Sequence, residues 1–368
     1  MMNSNVLDRI AEPLLAWYDK GHRNLPWRED KNPYRVWVSE IMLQQTRVEA
    51  VIPYFERFMK VFPEIRSLAM ADDDLLLKKW EGLGYYSRAR NLKKTAIVIM
   101  ERYEGRMPDT WEELQELPGI GSYTAGAIAS IAYGRSVPAV DGNVLRILSR
   151  LRMDEEYITR QNVKKRVEEE LLPVMPDERP GDFNQALMEL GATVCIPNGE
   201  PKCGECPWKE LCLAKEHNCM GDYPKKEKKK GRKIEPKTVL ILKYGEDVAI
   251  HKRPDKGLLA GLYELPNMEG NLNESDVIGR LREKGLAPIR IERLPDAVHV
   301  FSHKEWHMRA YAVRIDELTN MNMHVEEEFL FVHPKETEEK YPIPSAFSAY
   351  AEYLNIKLGN DKFEKRGK

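Results

Sequence analysis

The chain has few cysteines, no long apolar run and almost no net charge. Each of these shortages excludes a class of protein or limits where a binding surface can lie. Its 368 residues carry a net charge of -2, so a surface that binds nucleic acid would have to be local. No stretch approaches the ~18 consecutive apolar residues of a membrane span, and the N-terminal sequence lacks the pattern of a signal peptide. We expect a cytoplasmic protein with no membrane contact and no disulfide framework.

Four of the 5 cysteines are nevertheless concentrated in one short segment. Cys195, Cys203, Cys206 and Cys212 follow the spacing Cys-x7-Cys-x2-Cys-x5-Cys. In a reducing compartment this pattern predicts a metal site, and spacing alone leaves zinc and a [4Fe–4S] cluster open. Four ordinary buried thiols are the structural alternative. Cys219 lies outside the pattern and is expected to be a free thiol.

A basic run divides the chain into two parts of different character. Residues 225–233 contain seven basic side chains in nine and no apolar periodicity, which predicts a solvated linker over 221–236. Contact of this linker with DNA phosphates is an added possibility. Residues 1–220 show apolar residues at helical spacing, whereas 237–368 combine strand and helix patterns. The predicted fold is an all-α region followed by an α+β domain.

Individual elements can be assigned in both parts. In the first part Ser39 is expected to cap a helix over 40–48. Apolar spacing predicts three more helices there, over 75–80, 91–103 and 163–172. The second part is expected to contain a hairpin over 239–244 and 248–251, a strand over 307–313, and capped helices over 275–284 and 345–354.

The segment 117–127 has the features of a phosphate-binding turn. Gly119 and Gly121, spaced by one residue, let the backbone turn tightly and present its amides at the start of a helix. Such a turn also occurs between helices for geometry alone. The small residues that follow it predict close helix packing.

These motifs together resemble one family. The 117–127 turn, the Val-Asp-Gly-Asn-Val segment at 140–144 and the cysteine cluster are similar to those of the helix-hairpin-helix DNA glycosylases that carry an iron–sulfur cluster. The segments 25–28, 39–46 and 81–88 resemble the adenine-removing members of that family. The resemblance runs from about residue 23 to 212 and resumes after the linker. It implies a helix-hairpin-helix core with a [4Fe–4S] cluster loop on the four clustered cysteines.

The implied activity is removal of adenine mispaired with 8-oxoguanine or guanine in duplex DNA, during base excision repair. Cleavage of the N-glycosidic bond needs an acid for the leaving base and a carboxylate for the sugar cation. The resemblance implies Glu40 as the acid that protonates adenine N7 and Asp141, with Asn143, at the sugar. Members that also cut the backbone have a lysine where this chain has Tyr123, so a monofunctional glycosylase is implied.

Adenine must leave the duplex to be cut, which requires a pocket for the base and side chains that fill the gap. By resemblance, Gln45 and Tyr85 fill and wedge the gap, although an aromatic residue such as Tyr85 could equally belong to a core. The residues implied to contact DNA or the adenine base are Trp27, Arg28, Leu43, Gln45, Thr46, Tyr85, Gly119 and Gly121.

The second part, 237–368, resembles the Nudix fold of 8-oxo-dGTP hydrolases without their magnesium-binding glutamates. The comparable segment, 281–286, is only Leu-Arg-Glu-Lys-Gly-Leu, so a recognition module without hydrolysis is implied. Phe301, Ser302 and His303 resemble a loop that inspects 8-oxoguanine. A strand end with buried aromatic residues is the structural alternative.

The resemblance implies a monomer that binds double-stranded DNA containing adenine opposite 8-oxoguanine, in the nucleoid region of the cytoplasm. One departure is that seven residues separate Cys195 from Cys203, where the family usually has six. The Asn-Gly turn at 198–199 could absorb the extra residue. A bifunctional glycosylase would need lysine at position 123, and a nucleotide-pool hydrolase would need the full Nudix box. A non-catalytic iron–sulfur protein would not need Glu40 and Asp141 together.

Overall fold

The computed structural model describes residues 6–227, 231–316 and 329–358. The chain forms two compact units, one made of Met1–Met70 with Asn91–Lys229 and the other of Ala71–Arg90 with Lys230–Lys368. The division predicted from the sequence, at 220 and 237, did not anticipate that 71–90 would join the second unit.

The predicted basic linker is described only in part, because residues 228–230 lie outside the described ranges. Its first half is tied to the first unit: the Lys225 carbonyl accepts the Ile158 N–H at 3.2 Å, and Glu227 lies 3.4 Å from the Arg160 guanidinium. At its other end a strand begins at Lys233. Residues 233–236 of the predicted linker therefore belong to that strand.

Helices make up the regular structure of residues 6–227. The α-helices are α1 (Ala11–Gly21), α2 (Pro33–Leu43), α3 (Val48–Val61), α4 (Ile65–Ala69), α5 (Asp73–Trp80), α6 (Ser87–Arg102), α7 (Trp111–Gln115), α8 (Ser122–Tyr133), α9 (Gly142–Arg152), α10 (Gln161–Leu171), α11 (Pro180–Thr193) and α12 (Leu213–Glu216). Short 3-10 helices cover Val6–Arg9, Pro26–Arg28, Leu172–Val174, Cys203–Glu205 and Met220–Asp222. The predicted all-α character and the helices near 75–80, 91–103 and 163–172 are confirmed.

The predicted cap at Ser39 is wrong. The helix α2 begins at Pro33, where the Asn32 side chain accepts two backbone N–H groups. Proline suits the first helical position because the N–H that it lacks would have no helical partner there. Ser39 is buried inside the helix instead, and α2 ends at Leu43 rather than continuing to 48.

The core of the first unit forms where α1, α9, α10 and α11 turn their apolar faces toward one another. Leu14, Leu148, Val167 and Leu187, one from each helix, are almost fully buried in this cluster. Burial of a leucine or valine side chain contributes roughly 1.5–3 kcal/mol to the stability of the fold. These buried residues together therefore outweigh weak helix propensities along the four helices.

Small residues bring α8 close to the neighbouring backbone, as the sequence predicts. A side-chain carbon added at Gly126 would lie 2.2 Å from the carbonyl oxygen of Pro138, a distance that only glycine permits. The helix therefore packs directly against the strand-like segment that leads to Asp141.

The second unit is built on a mixed seven-stranded sheet, with main strand order β3-β2-β1-β6-β5. Its strands are β1 (Lys233–Tyr244), β2 (Asp247–Lys252), β3 (Tyr263–Glu264), β4 (Asn267–Glu269), β5 (Pro288–Val300), β6 (Lys304–Ile315) and β7 (Leu330–Val332). Strands β1 and β6 are parallel, whereas β1 with β2 and β5 with β6 are antiparallel. Helices α13 (Glu274–Glu283) and α14 (Pro334–Glu339) and the 3-10 helix Ser345–Leu354 accompany the sheet.

The second half of β1, residues 239–242, is apolar without alternation because both faces of the sheet are covered there. Val239 and Ile241 pack with Phe347 of the 3-10 helix, while Leu240 packs with Leu281 of α13. A central strand covered on both sides is expected to be continuously apolar.

The sequence predictions for this unit are confirmed with one exception. The hairpin, the strand at 307–313 and the helix near 275–284 are present, but the helix over Ser345–Leu354 is a 3-10 helix without a side-chain cap. The strands β3, β4, β5 and β7 and the helix α14 were not predicted. In the described ranges, no helix is both long and apolar enough to cross a membrane.

Candidate active site

Nine of the predicted site residues line one cavity of about 820 Å³ in the first unit. They come from the 3-10 helix Pro26–Arg28, the C-terminal half of α2 and the loop after it, and the N-terminal ends of α8 and α9. These residues are Trp27, Arg28, Glu40, Leu43, Gln45, Thr46, Tyr123, Asp141 and Asn143. The fold thus brings together side chains more than 100 positions apart in the sequence.

Glu40 is a buried carboxyl group with a strongly perturbed pKa. Its side chain is on α2, the residue is 5% exposed, and its Oε2 accepts a hydrogen bond from the Tyr123 hydroxyl at 2.5 Å. Burial raises the pKa of Glu40 to about 7, the Tyr123 hydrogen bond opposes this rise, and the nearby Asp141 charge adds to it. A carboxyl group of this kind can hold a proton near neutral pH.

Tyr123 owes its position to the start of α8, directly after the glycine turn. Its hydroxyl also lies 3.5 Å from the Met188 sulfur. Burial, reinforced by the charge of Glu40, keeps the pKa of Tyr123 well above its usual value, so the phenol stays neutral and acts as a donor.

Asp141 is the N-cap of α9 and is held by three hydrogen bonds. Its carboxylate accepts the backbone N–H groups of Asn143 and Val144 at 2.9 and 2.8 Å, and the Asn143 amide donates to it at 2.7 Å. Burial raises the pKa of Asp141, while these hydrogen bonds lower it because they favour the charged form. Its carboxylate is thereby oriented at a helix N-terminus that favours negative charge.

Asn143 connects this cap to the cysteine segment. Its side-chain oxygen accepts a hydrogen bond from Arg146 at 2.9 Å, and Arg146 also donates to the carbonyl of Cys195 at 3.0 Å. Arg146 was not predicted from the sequence, since an arginine on a helix face is usually solvated.

Arg28 is fixed in the cavity by a second buried carboxylate, Glu189 of α11. The Glu189 carboxylate accepts hydrogen bonds from Nη2 of Arg28 at 2.9 Å and from Nε of Arg23 at 2.7 Å. These two guanidinium groups lower the pKa of Glu189 although burial opposes them. Glu189 was not predicted from the sequence. Its position between the core residues Leu187 and Leu190 is a sequence pattern that indicates a buried glutamate.

Among the predicted base and DNA contacts of this unit, Gln45 and Trp27 line the cavity, whereas the two glycines of the turn do not. Gln45 is exposed and has a φ of +59°, so the chain turns sharply after α2. Trp27 is buried and packs edge-on against Phe55 at 5.4 Å. Gly119 and Gly121 do not line the cavity.

The glycine turn leads into α8 as predicted. Gly119 has a φ of +78°, and Gly121 is the N-cap of α8 with open space where a side chain would point. The first amides of α8 are therefore accessible to an anion without an intervening side chain.

The four clustered cysteines line one cavity, as the spacing predicts, and Cys219 does not. The basic residues Arg150, Lys209 and Lys215 line the same cavity, and Arg150 donates to the Cys195 sulfur at 3.3 Å. Burial raises the pKa of the Cys206 thiol to about 12, and the neighbouring thiols add to this rise. Four cysteines around one cavity, with basic side chains beside them, are the kind of donor set that holds an iron–sulfur cluster.

In residues 6–227, 231–316 and 329–358, no three His, Cys, Asp or Glu side chains are placed so that they could hold one metal ion. What the structure shows of the four cysteines is that they line the same cavity.

The other predicted contacts line a second cavity, of about 600 Å³, in the second unit. Tyr85 is exposed with a φ of +46°, and the Phe301 ring packs edge-on against Trp306 at 4.9 Å. Ser302 and His303 are exposed at the tip of the loop between β5 and β6. This unit thus brings Tyr85 to the same cavity as the 301–303 loop.

Comparison with known families defines the class. Residues 38–173 match the HhH-GPD superfamily of base excision DNA repair proteins, and residues 238–353 match the NUDIX domain. A solved structure of a thermostable thymine-DNA glycosylase aligns with a TM-score of 0.51 and 26% identity over 58% of this chain and 97% of that one. The fold and site define a helix-hairpin-helix base excision DNA repair enzyme with an added Nudix-like domain.

Two curated relatives narrow the class. The adenine DNA glycosylase of Mus musculus is 36% identical over 374 residues, covering 85% of this chain and 72% of that protein. The adenine DNA glycosylase of Buchnera aphidicola subsp. Schizaphis graminum is 36% identical over 307 residues, covering 83% of this chain and 86% of that protein. The chain belongs to the adenine DNA glycosylase family.

Proposed function

We propose that this enzyme removes adenine paired with 8-oxoguanine or guanine from duplex DNA, as a monofunctional glycosylase. The observation that carries the proposal is the pair of buried carboxyl groups in one cavity, Glu40 with a pKa of about 7 and Asp141 held by three hydrogen bonds. The two carboxyl groups have different environments, and such a difference is typical of a site in which one group acts as an acid and the other stabilises charge.

Glu40 supplies the proton. In its neutral form it transfers this proton to N7 of the extruded adenine, and the electrons of the C1′–N9 bond move into the base as that bond breaks. The Tyr123 hydroxyl, 2.5 Å away, stabilises the carboxylate that remains. This hydrogen bond also keeps the side chain directed into the cavity.

Asp141 faces the sugar, where bond cleavage creates an oxocarbenium-like cation. Its oriented carboxylate stabilises that charge, either as an ion pair or as a transient nucleophile, until water adds to C1′ and leaves an abasic site. Because Tyr123 occupies the position of a Schiff-base lysine, no strand cleavage accompanies excision.

DNA is bound at two places in the first unit, a phosphate site at the glycine turn and a pocket for the extruded base. Phosphate docks at the open amides after Gly121, while Arg28, Trp27 and Leu43 surround the extruded adenine. The Glu189 carboxylate fixes the Arg28 guanidinium in this pocket at 2.9 Å. Gln45 and Thr46, in the loop after α2, fill the gap that the extruded base leaves in the duplex.

The second unit reads the base opposite adenine. The 600 Å³ cavity combines the aromatic residues Tyr85 and Phe301 with the exposed polar side chains of Ser302 and His303, which suits a base that is stacked on one face and hydrogen-bonded at its edge. The unit lacks the glutamate box of a hydrolase, so its role is recognition.

Cys195, Cys203, Cys206 and Cys212 are the residues that would hold a [4Fe–4S] cluster. When bound, the cluster would supply a redox-active centre, and Cys195, just after α11, would be joined through it to the three cysteines of the 203–212 loop. The enzyme acts as a monomer in the nucleoid region of the cytoplasm.

The activity is tested with a duplex that contains adenine opposite 8-oxoguanine, followed by alkali. Cleavage at the adenine after alkali, and none before it, is expected. A duplex with adenine opposite thymine is the control and should remain intact. Absence of alkali-dependent cleavage, or equal cleavage of the control, would overturn the proposal.

Lesion reading is tested separately with the double variant Ser302→Ala/His303→Ala. It should still remove adenine opposite guanine but lose most of its preference for 8-oxoguanine, about 1–3 kcal/mol in single-turnover rates. Ser275→Ala, an exposed serine of α13, is the matched control. An unchanged preference would make the loop structural, and hydrolysis of 8-oxo-dGTP by the full chain would contradict a purely recognitional unit.

A further inference from the structure

The cavity of the second unit is bordered by a turn that contains a strained residue. Leu259 has a φ of +57°, a left-handed conformation that bulky side chains rarely adopt. The neighbouring residues Gly257 and Leu258 line the same cavity. Backbone strain of this kind persists only where the surrounding structure holds it in place.

Two arginines hold the carbonyl groups on either side of Leu259. Arg253 donates from Nε to the Leu258 carbonyl at 2.9 Å. Arg90 donates from Nη1 to the Ala260 carbonyl at 2.7 Å. Because one guanidinium fixes the Leu258–Leu259 peptide and the other fixes the Ala260–Gly261 peptide, the turn is held on both sides of Leu259 and has little freedom to relax.

Arg253 connects the turn to the wall that carries the 301–303 loop. Its Nη1 lies 2.6 Å from the carboxylate of Glu264, a nearly buried residue of β3, and its guanidinium lies 6.0 Å from the ring of Trp306. Trp306 in turn packs against Phe301. The position of Arg253 is therefore set by the sheet.

Arg90 connects the turn to the opposite wall. It is half-buried on α6, five residues after the exposed Tyr85, and both residues line the cavity. The segment 71–90 is fastened to the same unit by Lys78, whose ammonium donates to the carbonyls of Thr337 and Tyr341 at 2.6 and 2.7 Å. Arg90 is thus the link between the wall of Tyr85 and the strained turn.

We propose that Arg90 is a positioning residue for recognition of the base opposite adenine. By holding the Ala260 carbonyl, it maintains the strained turn at Leu259 and with it the width of the cavity between Tyr85 and the 301–303 loop. Its role is to shape the cavity and not to contact the reacting adenine. This inference rests on the proposed lesion specificity of the second unit.

The test measures single-turnover excision of adenine opposite 8-oxoguanine and opposite guanine in the full chain. Arg90→Ala should lower the ratio of the two rates by about tenfold, because a displaced wall weakens contacts with the modified base. The rate opposite guanine should fall by no more than about twofold by the same argument. Arg90→Lys, which keeps a donor, should recover part of the ratio, and Arg280→Ala on the exposed face of α13 should leave it unchanged.

Comparing Arg90→Ala in the unaltered chain and in a Leu259→Gly background distinguishes a positioning role of Arg90 from a general effect on the stability of the protein. Glycine adopts a positive φ without strain, so in a Leu259→Gly background the turn no longer needs Arg90. Arg90→Ala should then change the ratio by less than about threefold, a non-additivity that a merely structural role would not produce. If Arg90→Ala does not fold, Arg90→Lys in the two backgrounds gives the same comparison.

The outcomes separate this inference from the proposed function. If the unaltered enzyme shows no preference for 8-oxoguanine over guanine, the proposed lesion reading fails. If the preference is present but Arg90→Ala leaves it unchanged, or lowers both rates equally, the positioning role of Arg90 is overturned. Equal effects of Arg90→Ala with and without Leu259→Gly would also overturn it.

Discussion

At the scale of single residues, the two carboxyl groups of the cavity differ because their surroundings differ. Glu40 is buried on a helix face and receives one hydrogen bond, from Tyr123, whereas Asp141 caps α9 and receives three. The first environment favours the neutral acid and the second orients a charged group. The same residue types on an exposed surface would have neither property.

Glu40→Gln should abolish excision while leaving lesion-duplex binding nearly intact. Glutamine fills the same space and can accept the Tyr123 hydrogen bond, but it has no proton to transfer, so several kcal/mol of transition-state stabilisation are lost. Single-turnover excision and a filter-binding titration measure the two effects. Near-normal excision would remove Glu40 from the mechanism.

The same substitution should change how stability depends on pH. The folded pKa of Glu40, about 7, lies above its usual 4.5, so the folded state binds this proton more tightly than the unfolded state does. The stability that the group contributes is therefore full below about pH 4.5 and is lost as the pH rises through 7. Glu40→Gln should be more stable than the parent by on the order of 3 kcal/mol at pH 8, with no gain near pH 4.5.

Urea unfolding at the two pH values measures this difference. Glu274→Gln, at an exposed position of α13, is the control and should show no comparable gain. An equal stability difference at both pH values would contradict the burial of a neutral Glu40.

Asp141→Asn should also lose excision without losing the fold. Asparagine is as good an N-cap as aspartate, so α9 keeps its start while the negative charge opposite the sugar cation disappears. Rates under single turnover should fall by about 10³ or more. Asp72→Asn at the cap of α5 is the matched control, since Asp72 also accepts a helix N–H, and it should retain full activity.

At the scale of elements, the turn between α7 and α8 depends on one glycine more than on the other. Gly119 has a φ of +78°, and an added side-chain carbon would lie 2.9 Å from the side chain of Asn91. Gly121 has an ordinary extended conformation with open space around it. The two glycines of the motif therefore differ in what they tolerate.

Gly119→Ala should destabilise the protein by roughly 1–3 kcal/mol and weaken DNA binding, because the turn must move to relieve the strain. Gly121→Ala should change the free energy of unfolding by less than about 0.5 kcal/mol, which makes it the matched control. Urea unfolding and duplex titration give both quantities. Equal destabilisation by the two substitutions would mean that the positive φ at 119 does not matter.

At the scale of the whole molecule, the cysteine cavity ties the end of the first unit to its core. Cys195 follows α11, Cys212 precedes α12, and both pack against the apolar cluster that contains α9. A cluster held there would therefore stabilise the loop and the core together.

Anaerobically purified protein should be brown and contain about four iron atoms per chain. Cys203→Ser should lose most of this iron and lower the melting temperature, whereas Cys219→Ser should retain both. Metal analysis and the visible absorption spectrum measure the effect. Zinc in place of iron, or full iron retention in Cys203→Ser, would contradict a four-cysteine [4Fe–4S] site.

The sequence by itself determined the features that depend on neighbouring residues. Apolar spacing placed α5, α6 and α10, and the two strand patterns around the Gly-Glu-Asp turn at 245–247 placed the β1–β2 hairpin, because helix periodicity and turn chemistry are local. The cysteine spacing and the Gly-x-Gly turn were equally visible. The wrong prediction of a helix cap at Ser39 also arose from local sequence. A serine before apolar residues is typical of a helix cap, but here it lies inside α2.

Only the tertiary structure decided which of these residues act together. Glu40 and Asp141 share a cavity because α2 and the segment that leads to Asp141 both pack against α8, and no local pattern encodes that meeting. The buried pairing of Glu189 with Arg28, the raised pKa of Glu40, and the membership of 71–90 in the second unit likewise follow from long-range packing. Burial is a property of the summed contacts of the whole chain, and it is burial that turns ordinary carboxyl groups into an acid and a charge stabiliser.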